Sequence, residues 1–245
     1  MFRPSASERW MACPGSMFFD VEQPPAGKPA IQGTAAHAVL EECLKEGVKP
    51  VEFLHKSIPV VCDVTEVVTH YQVTEEMVEN LEFSLNLVFD EADKFGKMSY
   101  VLESEVRLDH PEIKDFGGTA DVLLTAGEFA VIMDLKYGTS PVKPDSSQMA
   151  CYAMLLTRVR PIVKYVKTVI IQPRSRLKTK VSSYNWKEEE LNSFESDIKS
   201  AMRKADETTL VNLNDNLSPG RHCWYCPARS ICPAKALESA RKDFN

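Results

Sequence analysis

Gly117-Gly118-Thr119-Ala120-Asp121-Val122-Leu123-Leu124, a turn around Gly127, then Ala130-Val131-Ile132-Met133-Asp134-Leu135-Lys136-Tyr137: these two adjoining runs decide the fold. Both read as β-strands. Asp134 closes the apolar run Ala-Val-Ile-Met, and a carboxylate in such a place needs a reason, because burying an uncompensated charge is costly. Hard divalent cations prefer oxygen ligands, so Asp121 and Asp134 at strand ends can hold Mg²⁺ or Mn²⁺. Strand side chains alternate with period two, so Lys136 projects from the same face as Asp134. An ammonium there can steady a metal-bound hydroxide. Two carboxylates and a lysine so arranged read as a metal-dependent centre for cutting phosphodiesters.

Working outward, the central sheet is predicted to comprise Tyr100–Leu108, Gly118–Thr125, Phe129–Lys136, Lys164–Gln172 and Val181–Trp186. The first three form a meander with short turns. A helix from about Ser146 to Thr157 separates the third from the fourth, which gives a mixed α/β sheet with one helical crossover. A charged helix, about Lys187 to Glu207, packs behind it. Upstream, Ser5-Ala-Ser-Glu8 reads as a capping box for a short helix carrying Trp10 and Met11, stopped by Pro14 and Gly15. Gln23 to Pro29 reads as a linker. Thr34 is predicted to cap a helix with a buried stripe of Val39, Leu40, Cys43 and Leu44, ended by Gly47. Val60 to Val68 reads as an edge hairpin, Thr74 as the cap of a long helix, and Asn212 to Gly220 as a polar loop. Residues 1–245 are read as one domain.

The 245 residues suffice for a full core, and 44% hydrophobic with 26% charged residues is ordinary for a soluble globular protein. No run approaches the ~20 apolar residues of a membrane span, and Met1-Phe2-Arg3-Pro4-Ser5 lacks a secretory apolar core. A cytoplasmic location is expected. No Gly-x-x-x-x-Gly-Lys-Ser/Thr loop is present, so no nucleotide-driven motor is encoded. Net charge is −6, yet residues 146–187 contain nine Lys and Arg and no acid, leaving −15 on the rest. That segregation suits a phosphate-binding face comprising Arg158, Arg160, Lys164, Lys167, Arg174, Arg176, Lys178, Lys180 and Lys187. The alternative is a merely solvated strand–loop–strand.

Seven cysteines in a cytoplasmic protein do not suggest disulfides. Cys43, Cys62 and Cys151 read as small core residues. Cys13, Cys223, Cys226 and Cys232 differ, each standing beside turn-forming residues, and Cys223-x-x-Cys226 fits zinc or iron–sulfur ligation.

Taken together, Asp121, Asp134-x-Lys136, the upstream Gly33-Thr34-Ala35-Ala36-His37 and the downstream Gln148-x-x-x-Tyr152 resemble the RecB-like branch of the PD-(D/E)xK nucleases. The split cysteine pattern resembles the iron–sulfur-stapled members, the AddB-type helicase–nucleases and the CRISPR adaptation nucleases. The matching positions run from Cys13 to Cys232, while 48–98 match nothing specific. The resemblance implies a restriction-endonuclease-like core with a metal-stapled rim joining the two ends of the chain. It implies that His37, Asp121, Asp134 and the Leu135 carbonyl bind Mg²⁺ or Mn²⁺, that Lys136 positions the attacking water, and that Gln148 and Tyr152 touch substrate or orient Lys136. It implies a [4Fe–4S] cluster on the four cysteines, with structural Zn²⁺ on the same thiolates as the rival. The substrate implied is DNA, cut from ends or in single strands by an exonuclease of phage recombination, replication or DNA degradation. That role would place the protein in host cytoplasm beside a single-strand-annealing or replication partner. The competing reading is a non-catalytic DNA-binding or zinc-stapled adaptor protein that keeps the fold. Glu41, one helical turn after His37, reads as an outer neighbour of the metal or a solvated charge, and Glu103 or Glu105 as an outer neighbour of the metal or part of a polar sheet edge.

Overall fold

The computed structural model describes residues 2–21, 27–61 and 67–243. The helices are α1 (Ser7–Ala12), α2 (Lys28–Glu46), α3 (Glu75–Asp93), α4 (Ser147–Val159), α5 (Glu188–Asp206), the single turn α6 (Leu213–Asn216) and α7 (Pro233–Asp243). The strands are β1 (Ser57–Val61), β2 (Val68–Gln72), β3 (Val101–Asp109), β4 (Gly117–Ala126), β5 (Phe129–Leu135), β6 (Tyr165–Ile171) and β7 (Val181–Trp186). Strands β3 to β7 form a five-stranded sheet in sequence order. All its neighbours are antiparallel except β5 and β6, which run parallel. The crossover helix α4 makes that parallel pair possible. This is the mixed α/β sheet flanked by helices that the sequence predicts.

Alternation along β5 assigns the layers. Ala130 and Ile132 enter a core with Trp10, Met149, Leu155 and Ile198, on the side of α1, α4 and α5. Val131, Met133 and Leu135 enter a second core with Val39, Leu40, Met77 and Leu81, on the side of α2 and α3. With both faces covered, β5 is buried from Ala130 to Leu135.

Local signals account for most boundaries. The Thr74 side chain accepts from Met77 N–H at 3.2 Å and caps α3. Gly47, at φ +68°, ends α2 in the left-handed conformation that glycine adopts without strain. Three expectations fail, one of them the polar loop expected over Asn212–Gly220, which contains the helical turn α6 (Leu213–Asn216). Helix α2 begins at Lys28, not at Thr34, because Pro29 fits a first helical turn. Of the expected linker, 22–26 lie outside the described residues. The Ser5–Glu8 capping box does not form: Pro4–Ala6 is a 3₁₀ turn, and Ser7 Oγ donates to Ser147 Oγ at 2.8 Å instead. Strands β1 and β2 pair antiparallel as an expected hairpin, but 62–66, including Cys62, lie outside the described residues.

Candidate active site

The site forms where the sheet opens. The β4–β5 ladder runs from Ala126↔Phe129 to Val122↔Met133, and the next residues on each strand are Asp121 and Asp134. Beyond the last pair, Leu135 N–H donates to Asp121 Oδ2 at 2.8 Å, a side chain replacing the missing ladder bond. Lys136 stays fixed to the sheet, its N–H donating to the Ile171 carbonyl at 2.9 Å. These residues lie at the carboxyl ends of the parallel strands β5 and β6, where open α/β sheets leave a crevice.

Three side chains close a ring there. Lys136 Nζ lies 2.8 Å from Asp134 Oδ2 and donates to Gln148 Oε1 at 2.9 Å. Gln148 Nε2 donates to Asp134 Oδ1 at 3.1 Å. The amide thus presents its oxygen to the cation and its nitrogen to the carboxylate. Tyr152, one turn along α4, is buried beside Gln148, and burial together with the Asp134 charge pushes its phenol well above the usual range. From the opposite layer, His37 on α2 brings Nδ1 to 3.2 Å from Asp121 Oδ2. His37, Asp121, Asp134, Lys136, Gln148 and Tyr152 are therefore brought together by four elements. Leu135 contributes its N–H to this cluster.

The electrostatics are unbalanced in one direction. Asp134 is 3% exposed, and burial raises its pKa despite Lys136, with the neighbouring Asp121 charge adding to the rise. Its Oδ2 faces the Lys136 ammonium at 2.8 Å and its Oδ1 takes the Gln148 N–H. Burial also acts on Asp121, but His37 and the Leu135 N–H outweigh it and hold that carboxyl below the usual range. Burial works against the His37 and Lys136 cations, and the aspartates more than offset it, so both pKa values are raised. As the side chains stand, no three His, Cys, Asp or Glu groups among the described residues close around a common ion position. The donor set nevertheless fits a hard divalent cation: two carboxylates and an imidazole.

The cleft beside Asp121 and His37 is lined by Leu40, Glu41, Leu44, Glu105, Thr119 and Val122. Glu41 pairs with Lys45, which also lies 3.6 Å from Glu105. Alternation places Glu103 and Glu105 on one face of their strand, but the structure separates them. Glu103 takes a two-pronged contact from Arg160, at 2.5 and 2.9 Å. Glu105 has φ +54°, breaks the alternation and turns toward Lys45 of α2. No residue type at position 105 signals that conformation, which glycine or asparagine would suit better.

The basic stretch also departs from expectation. Arg158, Arg160, Lys164, Lys167 and Arg174 pair with Glu195, Glu103, Glu128, Glu91 and Glu76. Arg176, Lys178, Lys180 and Lys187 make no ion pair among the described residues. The first three lie on the β6–β7 loop, which buried Gln172 ties to the segment after Tyr137. Its Nε2 donates to the Gly138 and Ser140 carbonyls at 2.9 and 2.7 Å, and its Oε1 accepts from Val142 N–H at 3.1 Å. The sequence missed Gln172 because its partners are backbone groups over thirty residues away.

At the opposite side of α1, Cys13, Cys223, Cys226 and Cys232 line one small pocket, all as free thiols. Ser218 N–H donates to Cys13 Sγ and Gly220 N–H to Cys223 Sγ, both at 3.3 Å. Burial raises the Cys13 and Cys226 pKa values. Two of the four sulfurs thus accept a backbone N–H, and no three of the thiols close around a common ion position among the described residues. Cys43 and Cys151 are buried core residues.

The chain belongs to the family described as "Protein of unknown function (DUF2800)", whose profile matches residues 1–245. Among solved structures, an alkaline exonuclease (LHK-Exo) from Laribacter hongkongensis is similar over 54% of this chain and 69% of its own, at 12% identity and a TM-score of 0.33. LHK-Exo in complex with dAMP aligns over 87% and 89%, at 11% identity and 0.35. The protein SSO0001 aligns over 63% and 70%, at 18% and 0.31. At these scores the similarities are partial, and the case for the site rests on its own residues. No helix among the described residues is long and apolar enough to cross a membrane.

Proposed function

We propose that this DUF2800 family member is a divalent-metal-dependent deoxyribonuclease, acting as an exonuclease on DNA ends or single strands. The observation that carries the reading is the ring of Asp134, Lys136 and Gln148 set against the His37–Asp121 pair at the sheet opening. His37, Asp121, Asp134 and the Leu135 carbonyl are the groups proposed to hold Mg²⁺ or Mn²⁺. Such an ion, when bound, lowers the pKa of a water and neutralises charge developing on phosphate oxygens. Lys136 keeps its proton beside Asp134 and can donate to the incoming water or a phosphate oxygen. Gln148 holds the ammonium in place through its carbonyl while its own N–H groups restrain Asp134. Tyr152 shuts water out from behind this ring. Arg176 and Lys178, which make no ion pair among the described residues, are proposed to take strand phosphates.

The thiol pocket is proposed to hold a [4Fe–4S] cluster, with zinc on the same cysteines as the competing occupant. Its role would be structural, joining α1 to the carboxyl-terminal turns. A single domain of phage recombination or DNA degradation, working in the cytoplasm of a host, is the setting this reading favours.

The test is digestion of end-labelled single- and double-stranded DNA with Mg²⁺ or Mn²⁺, comparing the parent with Lys136→Ala. Cleavage that depends on the ion and falls by roughly 10²–10⁴-fold in the variant is expected, the usual range for a positioned proton-transfer group. Equal residual cleavage in both proteins defeats the catalytic reading and favours the non-catalytic binding protein.

A further inference from the structure

Trp224 and Tyr225 are 71% and 85% exposed, whereas Trp10 is fully buried in the core. Single exposed apolar residues are commonplace. Two adjacent large rings are less so, and here they occupy the interval of Cys223-Trp224-Tyr225-Cys226, on the 3₁₀ turn Arg221–Tyr225. Buried Cys223 and half-buried Cys226 point inward on either side of them, so the rings stand outward from a pinned backbone. Rings held this way lose little conformational entropy on stacking.

Two arginines flank the rings. The Arg229 guanidinium lies 4.6 Å from the centroid of the Trp224 ring, and Arg221 and Arg229 are both exposed. Tyr225 and His222 line a groove with Ser5, Ala6, Glu8 and Arg9. Helix α1, which supplies part of that groove, packs against both this turn and α4. Its Ser7 Oγ meets Ser147 Oγ, next to Gln148 of the ring that holds Lys136. Flat faces beside arginines suit unstacked bases joined by phosphates, since every base offers a π-face and every linkage a negative charge.

We propose that Trp224 and Tyr225, with Arg221 and Arg229, form a stacking platform for single-stranded DNA. The proposal rests on the nuclease reading for its ligand, but it is testable without cleavage. Trp224 is the exposed tryptophan: Trp10 is enclosed, and Trp186 is half-buried with its Nε1 donating to Thr168 Oγ1 at 3.0 Å.

Lys136→Ala protein in EDTA, which preserves the strand, is titrated with a 15-nucleotide oligo-dT and with a duplex of equal length. Oligo-dT is expected to quench tryptophan emission, with the quench abolished in Trp224→Phe while affinity by anisotropy stays within about threefold. The pair Trp224→Ala/Tyr225→Ala, compared after its circular dichroism is shown to match the parent, is expected to bind oligo-dT at least about thirtyfold more weakly, at the low end of what two stacked bases contribute. Unchanged affinity in the double variant overturns the proposal. So does equal quenching by the duplex, whose bases cannot leave their own stack to lie on a ring. Absence of any oligonucleotide response also overturns it and leaves the patch to a protein partner. The two readings separate cleanly: cleavage without quenching sinks the platform alone, and quenching without Lys136-dependent cleavage sinks the hydrolase alone.

Discussion

Asp134 is the residue on which the site turns, because its burial is compensated only in part. His37 and Asp121 compensate each other, with His37 raised and Asp121 lowered from their ordinary values. In the metal-free protein, the His37 contribution is fully present below the ordinary histidine pKa of about 6.5 and fades as pH rises through its higher folded value. The Asp121 contribution is present above about pH 3.9 and is lost as pH falls through its lower folded value. Thermal denaturation in EDTA should therefore show the pair's stabilisation between about pH 4 and 6.5, and His37→Gln should flatten that profile. Divalent-ion affinity should run the other way, rising with pH as the imidazole gives up its proton. A His37→Gln profile parallel to the parent's would argue against the pairing. Glu105 offers a second check at this scale. Its left-handed backbone costs of order 1 kcal/mol, so Glu105→Gly should stabilise the protein by up to about 1 kcal/mol in chemical denaturation while removing a carboxylate from the cleft.

At the scale of elements, the sequence was most legible where periodicity and caps are local. The five main strands, α4, α5 and the Thr74 cap fall within two residues of expectation. The beginning of α2 was misjudged, because Gly33-Thr34 looks like a start signal while Pro29 supplies the real one. Asp121, Asp134 and Lys136 were readable from the strand text alone, whereas the site's bracing was not. Gly118 shows why. A Cβ there would sit 2.8 Å from Pro4 Cδ and 3.2 Å from Tyr152 Cε1, so β4, the amino-terminal turn and α4 meet at a point visible only in three dimensions. Gly118→Ala should destabilise the protein by about 1–3 kcal/mol through overpacking, and it should lower cleavage by displacing Tyr152. An unchanged denaturation midpoint would mean that the amino-terminal turn yields freely and braces nothing.

Across the whole molecule, charge segregation along the chain does not survive folding. Arg160 meets Glu103 from 57 positions away and Lys167 meets Glu91 from 76, so five of the nine cations in the basic window are paired in space. Only tertiary structure reveals which cations stay free for phosphate. The cysteines behave in the opposite manner: Cys13 is over two hundred positions from Cys223, Cys226 and Cys232 in sequence, yet all four line one pocket. If a metal occupies it, Cys13→Ser should lower iron or zinc content in elemental analysis. It should also reduce Tm by about 5 °C, the shift for roughly 2 kcal/mol in a chain of this size. Unchanged metal content and Tm would leave the pocket as ordinary packing of thiols.

Everything proposed for the cleft requires a cation between the two aspartates, so Mn²⁺ soaked into crystals of the Lys136→Ala protein and located by anomalous diffraction is the sharpest check. We expect one strong peak about 2.0–2.3 Å from His37, Asp121 and Asp134 oxygen or nitrogen atoms, the range of hard-cation contacts. An empty cleft at saturating Mn²⁺, with the same His37–Asp121 contact intact, would show that these carboxylates serve the fold and not hydrolysis.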